Sequence, residues 1–134
     1  MLVDTSVWVD HFNGYESTPQ ARLDRALRDD EPVLLCGIVL TEILMGLGAE
    51  AEAARIADLL RAFDFVPDPV SDDYVAAAGL FRACRARGLT IRSTIDCVIA
   101  QLCIRDGTPL LTKDRDFSSI ARVAPLRLVD LARR

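Results

Sequence analysis

The sequence predicts a single α/β domain over residues 1–134, a three-layer α/β/α sandwich with a short, mainly parallel central sheet. Short, continuously apolar segments alternate along the chain with longer segments whose apolar residues recur every three or four positions. Strands without polar alternation are buried on both faces, and helices packed on both faces of a parallel sheet provide that burial. A length of 134 residues, 51% of them hydrophobic, suits one core.

In the first half of the chain, residues 1–3 and 32–36 are apolar runs that predict strands. Residues 6–12 predict a short helix. Thr18 followed by Pro19 resembles an N-cap and a first helical residue, which predicts a helix over 18–28. Helices over 38–46 and 49–63 follow from helical apolar spacing, and 65–66 predicts another short strand.

The second half begins with a Ser-Asp-Asp cap that predicts a helix over 71–87, stopped by Gly88. Residues 93–96 read as a capping box of the Ser-x-x-Asp type, which opens a helix to residue 105 that Gly107 ends. The remaining predicted elements are a buried strand over 109–112, a short helix over 116–121 and a last strand over 127–129.

Net charge, cysteine and histidine content, and the length of apolar runs exclude several kinds of function. Sixteen basic and twenty acidic residues give a net charge of −4, so binding of nucleic acid by bulk charge is excluded. Four cysteines without a C-x-x-C pair predict free, buried thiols in a reducing cytoplasm. No apolar run approaches the roughly 20 residues of a membrane span, and the acidic first ten residues predict no secretory signal. One histidine makes a zinc site or a histidine-based triad a poor prediction, which leaves the chemistry to carboxylates.

Four acids lie where an open parallel sheet forms its sites. Asp4 follows the first strand, Asp114 follows the predicted strand over 109–112, and Glu42 and Asp96 lie near helix starts. Each is embedded in apolar sequence, where an unpaired carboxylate is costly and several together repel one another. A divalent cation removes both penalties, and oxygen ligands without His or Cys indicate Mg²⁺ or Mn²⁺.

For each acid considered separately, the alternative is a structural role as a helix cap. Asp96 suits a capping box, and Asp4, Asp114 or Asp116 suits the N-cap of a following helix. Capping does not explain Glu42, which lies inside a helix among apolar neighbours. Ser6 and Thr112 each lie two residues from a predicted ligand, so their hydroxyls suit either support of a carboxylate or local turn bonding.

Four segments resemble, in order, the successive motifs of PIN domains, and above all the VapC-type toxins of bacterial toxin–antitoxin pairs. These segments are Asp-Thr-Ser-Val-Trp from residue 4, Leu-Thr-Glu-Ile-Leu-Met-Gly from 40, Asp-Cys-Val-Ile-Ala from 96 and Leu-Leu-Thr-Lys-Asp-Arg-Asp-Phe from 110. The resemblance extends from Leu2 to about Leu128.

The resemblance implies a metal-dependent endoribonuclease that is the toxin of such a pair, with a cognate antitoxin as partner and a tendency to form a homodimer. It places the catalytic acids at Asp4, Glu42, Asp96 and Asp114, with Asp116 as an auxiliary acid. One or two Mg²⁺ or Mn²⁺ ions are then expected at Asp4, Asp96, Asp114 and Asp116, supported by Ser6 and Thr112.

Substrate and partner contacts are further expectations. Arg92 lies four residues before Asp96 and is the candidate for contact with the RNA backbone. The helix hairpin over 38–63 is the candidate surface for the antitoxin, because it carries many apolar residues. The alternatives are a housekeeping RNA-processing nuclease, an inactive PIN-like scaffold, and a phosphoacceptor receiver module, which shares the size, an acidic pocket and a Thr-Lys pair.

Overall fold

The computed structural model describes residues 1–132, which form four strands and seven helices. The strands are β1 (Leu2–Val3), β2 (Leu34–Leu35), β3 (Asp64–Phe65) and β4 (Leu110–Leu111). The helices are α1 (Thr5–Asn13), α2 (Thr18–Arg28), α3 (Gly37–Met45), α4 (Glu50–Arg61), α5 (Ser71–Ala86), α6 (Thr94–Asp106) and α7 (Arg115–Ala121).

The sheet is parallel, with strand order β3-β2-β1-β4. The chain moves in one direction across the sheet from β1 to β3, then returns past β1 to β4. Because parallel crossovers are right-handed, this reversal places α1–α4 on one face and α5–α7 on the other. The helix contacts agree, since α1 packs on α2 and α3, α3 packs on α4, and α6 packs on α5 and α7. The predicted α/β sandwich is therefore confirmed.

Local chemistry explains several helix ends, and three predicted features are wrong in detail. The N-cap of α2 is Ser17 rather than Thr18, because the Ser17 hydroxyl accepts the backbone N–H of Gln20 at 3.2 Å. Ser93 precedes α6 but its side chain makes no capping bond, so the predicted capping box does not form. The predicted strand over 127–129 is reduced to one parallel bridge between Leu128 and Leu110.

The core lies on both sides of the sheet. Its two largest fully buried side chains are Trp8 on α1 and Phe117 on α7, one from each helical layer. All four cysteines are free and buried, as predicted. Between residues 1 and 132, the helices are too short or too polar to cross a membrane.

Candidate metal centre

The candidate site lies at the topological switch point of the sheet. Strands β1 and β4 are neighbours, paired Leu2 to Leu110 and Val3 to Leu111, yet the helices that follow them lie on opposite faces. A crevice opens outside the carboxyl ends of two such strands. Asp4 comes directly after β1 and Asp114 three residues after the end of β4, so the topology brings both acids to this crevice.

Asp4 is nearly buried, and two hydroxyls hold its carboxylate. Ser6 Oγ and Thr112 Oγ1 donate to the same oxygen, Oδ2, at 2.8 and 2.9 Å. Asp4 occupies the N-cap position of α1 but makes no side-chain capping bond. The two hydroxyls therefore fix the orientation of the Asp4 carboxylate, which is not used to cap α1.

Thr112 also connects Asp4 to the acids after β4. Its Oγ1 accepts the backbone N–H of Asp114 at 3.0 Å while donating to Asp4. Asp114 in turn caps α7, because its Oδ1 accepts the backbone N–H of Asp116 at 3.0 Å. The capping alternative is thus correct for Asp114, although a cap that uses Oδ1 leaves the second carboxylate oxygen for other chemistry. Asp116 is not an N-cap.

Three of the predicted acids converge. One carboxylate oxygen from each of Asp96, Asp114 and Asp116 lies within 4.8 Å of the other two. Asp96 is contributed by the first turn of α6, and the other two by the start of α7. Helices α6 and α7 pack against each other on the same face of the sheet, which brings these first turns together.

The pKa of Asp96 is raised by its burial and by the nearby acids. Burial of its carboxyl, followed by repulsion from Asp114, Asp4, Asp116 and Glu42, raises its pKa from 3.8 to about 7. The five predicted acids therefore share one electrostatic environment, although the tight group contains only three of them. A bound cation would relieve the repulsion that raises this pKa.

Glu42 approaches the site from the other helical layer. It lies in the second turn of α3, and its Oε1 accepts the hydroxyl of Thr5 at 2.8 Å. Thr5 is the first residue of α1, directly after Asp4. The two residues are 37 positions apart in the chain, and their hydrogen bond connects α3 to the start of α1. It holds the Glu42 carboxylate near the crevice, where this side chain caps no helix.

The residues fit a hard divalent cation. Every side chain in the tight group offers carboxylate oxygen, the ligand that Mg²⁺ and Mn²⁺ prefer, and none offers sulfur or nitrogen. Repulsion among the acids adds to burial in raising the pKa of Asp96, and the same negative charges would stabilise a bound cation. Asp96, Asp114 and Asp116 could hold such an ion, and Asp4, which follows β1, lies close enough to repel Asp96.

The side chain of Arg92 contacts two of the clustered acids. Its Nε lies 3.3 Å from Asp116 Oδ2, and its Nη2 lies 3.5 Å from Asp114 Oδ1. Its backbone N–H also donates to Asp116 Oδ2 at 3.1 Å. The residue predicted to contact RNA is therefore in contact with the candidate metal ligands in this structure.

Two supports of the site were not predicted from the sequence. Thr5 holds Glu42, and its place beside Asp4 was the one available signal. Lys113 lies between Thr112 and Asp114, and its Nζ contacts both carboxylate oxygens of the buried Asp10 at 2.8 and 2.9 Å. This ion pair ties the loop after β4 to the end of α1 across 103 residues, a separation at which no local pattern exists.

Comparisons with known proteins agree with this geometry. The PIN domain family matches residues 1–123. A VapC ribonuclease of Mycobacterium bovis, Mb1587, is 34% identical over 128 residues, which cover 95% of this chain and 96% of that protein. Ribonuclease VapC11 of Mycobacterium tuberculosis matches with the same identity and coverage.

Solved structures share the fold. A VapBC2 structure from Rickettsia felis, bound to a DNA fragment from its promoter, superposes with a TM-score of 0.73 at 19% identity and covers 96% of both chains. VapBC-1 from nontypeable Haemophilus influenzae gives a TM-score of 0.73 at 16% identity, with 98% of both chains covered. Family membership excludes the receiver alternative. The chain belongs to the PIN-domain family, and within that family it belongs with the VapC ribonucleases.

Proposed function

We propose that this chain is a Mg²⁺- or Mn²⁺-dependent endoribonuclease, the toxin of a toxin–antitoxin pair, which hydrolyses phosphodiester bonds of RNA. The observation that carries the proposal is the grouping of Asp96, Asp114 and Asp116 within 4.8 Å, next to the held carboxylate of Asp4. Its kinship with the VapC ribonucleases supports RNA as the substrate class.

In the proposed mechanism, Asp4, Asp96, Asp114 and Asp116 hold one or two ions. When bound, Mg²⁺ or Mn²⁺ supplies positive charge to the scissile phosphate and the departing oxygen and lowers the pKa of the attacking water. Ser6 Oγ and Thr112 Oγ1 keep the Asp4 carboxylate in one orientation, since both donate to its Oδ2.

Glu42 is the proposed base that orients the attacking water and accepts its proton. It reaches the crevice from α3, and the Thr5 hydroxyl limits its rotamers by donating to Oε1 at 2.8 Å. This bond leaves the second oxygen of Glu42 to accept a proton. Arg92 is the proposed contact for the RNA backbone, since its exposed guanidinium provides planar donors that match a phosphate.

Cleavage of a mixed RNA pool by purified, antitoxin-free protein tests the proposal. We expect cuts with Mg²⁺ or Mn²⁺, no cuts with EDTA, and a loss of at least about a hundredfold in the rate for Asp96→Asn. Asp58→Asn is the matched control. It makes the same chemical change at an exposed aspartate of α4 that pairs with Arg61 of the same helix, and it should cut like the wild type.

Two outcomes would contradict the proposal. Cutting that persists in EDTA would exclude the metal-dependent mechanism. A wild type that binds Mn²⁺ but cuts no RNA, including structured RNAs such as transfer RNA, would instead indicate a scaffold protein that has kept its acids.

We propose further that a cognate antitoxin binds the helix hairpin over 38–63. Two of the similar solved structures are of VapBC proteins, which supports a protein partner for this chain. The hairpin, formed by α3 and α4, exposes Met45 and Leu59, with 78% and 48% of their surfaces accessible. An amphipathic partner segment buries such side chains in a groove between helices.

The partner is tested by co-expression with the protein encoded next to this chain's gene. Met45→Asp and Leu59→Asp should each weaken the complex about tenfold or more, while Val70→Asp, at a comparably exposed apolar residue just before α5, serves as the control. A stable complex unaffected by both hairpin variants would place the antitoxin elsewhere. A chain without any such neighbour would favour the housekeeping RNA-processing nuclease.

A homodimer and a cytoplasmic location complete the proposal. The exposed apolar side chains of α5 and of the first turn of α6, among them Tyr74, Val75 and Ile95, support self-association. The four free, buried thiols support a reducing compartment. Light scattering of the purified chain measures the oligomeric state, and a monomer at micromolar concentration would contradict the dimer.

A further inference from the structure

Arg92 occupies the carboxylates that the proposed function assigns to the metal. Its side chain and its backbone both contact one oxygen of Asp116, Oδ2, at 3.3 and 3.1 Å. Its Nη2 reaches Asp114 Oδ1 at 3.5 Å, so the guanidinium spans two of the three clustered acids. A single flexible side chain thus supplies positive charge to the group that a divalent cation would neutralise.

The way in which Arg92 is held differs from that of a structural arginine. Its side chain is 74% exposed, whereas that of Asp116 is only 10% exposed. Its guanidinium lies 3.3 Å from Asp116 and 3.5 Å from Asp114, whereas a strong charge-assisted hydrogen bond measures about 2.7–2.9 Å. By contrast, Arg105 is 23% exposed and donates at 2.9 Å to the buried Asp73 and to Asp106. Arg92 can therefore leave its carboxylates at small cost, whereas Arg105 cannot.

We propose that Arg92 is an internal competitor of the metal ion, which it replaces at Asp114 and Asp116 in the metal-free protein. The proposal rests on the proposed function. Asp116 Oδ2 cannot give its full charge to both a guanidinium and a divalent cation, and the two cations repel each other. Metal binding therefore expels the guanidinium from the acids while the backbone N–H of Arg92 keeps its bond to Asp116.

The expelled guanidinium remains beside the site, because its main chain is anchored to Asp116. Its donors are then free beside the acids, and RNA phosphate is an acceptor that matches their planar geometry. One residue thereby weakens metal binding in the absence of RNA and strengthens RNA binding in the presence of metal. The two ligands consequently favour each other's binding through Arg92.

The test is a pair of titrations on Arg92→Gln. In the absence of RNA, calorimetric titration with Mn²⁺ should show a dissociation constant about two- to fivefold lower than that of the wild type, because an exposed ion pair of this kind is lost. In a Glu42→Gln background that does not cut, RNA binding with Mn²⁺ should weaken. The slope of log affinity against log salt should also fall by about 0.7, the value for one phosphate contact on a single strand.

Arg61→Gln is the matched control. It removes the same charge and also breaks an exposed arginine–aspartate pair, the Arg61–Asp58 pair of α4. Neither titration should change in this variant. Arg92→Lys is the conservative variant, and it should recover most of the salt dependence of RNA binding while holding the acids less well than the planar guanidinium.

The outcomes separate this inference from the proposed function. An Arg92→Gln variant whose affinity for Mn²⁺ is unchanged or weaker than that of the wild type would overturn the competitor. An unchanged salt slope for RNA would overturn the phosphate contact. A wild type that binds no Mn²⁺ at all would instead contradict the metal-dependent function on which the inference rests.

Discussion

Replacement of Asp96 by asparagine should make the metal-free protein more stable while it abolishes nuclease activity. The carboxyl of Asp96 has a pKa of about 7 in the folded protein, against 3.8 when it is exposed to water. Its burial is the largest cause, and the repulsion of Asp114 and Asp4 adds to it. Asparagine keeps the shape of the side chain and cannot ionise, so it removes a charge that the fold accommodates poorly.

The sign and the size of the effect follow from this pKa. Because the folded pKa lies above the unfolded one, the folded protein binds the proton more tightly, and this stabilisation is complete below about pH 4. It is lost as the pH rises through the folded value near 7. The difference between the folded and unfolded pKa values of Asp96 corresponds to about 4 kcal/mol in the free energy of unfolding, as an upper limit. Solvent access to the site and the loss of a favourable helix N-terminal charge reduce the expected gain to about 1–2 kcal/mol at pH 8.

Urea unfolding in EDTA at about pH 4, 6 and 8 measures the effect. Asp96→Asn should match the wild type at the lowest pH and exceed it increasingly toward the highest. Asp58→Asn, at an exposed position of α4, should stay within about 0.5 kcal/mol of the wild type throughout. Added Mn²⁺ should reverse the order at pH 8, because it stabilises the wild type by binding and the variant much less.

A variant that is less stable than the wild type at pH 8, or whose difference from it does not change with pH, would refute the reasoning. Either result would mean that burial and the neighbouring acids do not destabilise the ionised carboxyl of Asp96 in the metal-free fold.

Three other perturbations address the supports of the site. Thr112→Val removes one of the two hydroxyls on Asp4 Oδ2 and the acceptor of the Asp114 N–H, and should lower affinity for Mn²⁺ about tenfold as measured by calorimetry. Lys113→Met leaves the buried carboxylate of Asp10 without its cation and should cost about 1–3 kcal/mol in urea unfolding, with most of this recovered by the double variant with Asp10→Asn. Arg105→Met removes the cation from the buried Asp73, which keeps its bonds from the Val70 N–H and Gln101, and should lower stability by about 1–3 kcal/mol without changing Mn²⁺ affinity; an altered affinity would show that this ion pair also shapes the site.

Much of the fold could be predicted because its determinants are local. The apolar runs that became β1, β2 and β4 lack the polar alternation of a strand with one solvated face, and helical spacing in 38–46 predicted α3 to within a residue at each end. The errors were also local in cause. Ser17 and Thr18 are both good capping residues, and only the backbone geometry decided that Ser17 accepts the N–H of Gln20.

The sequence by itself determined which side chains were costly to bury and at which ends of strands and helices they lie. Only the tertiary structure decided which of them meet. The strand order brings Asp4 to Thr112 across 108 residues, and the packing of α6 on α7 brings Asp96 to Asp114. Contacts across such separations depend on which strands are neighbours and on which face each helix packs. For the same reason the Lys113–Asp10 pair, and the contact of Arg92 with the acids instead of open solvent, follow from the folded arrangement and not from any local pattern.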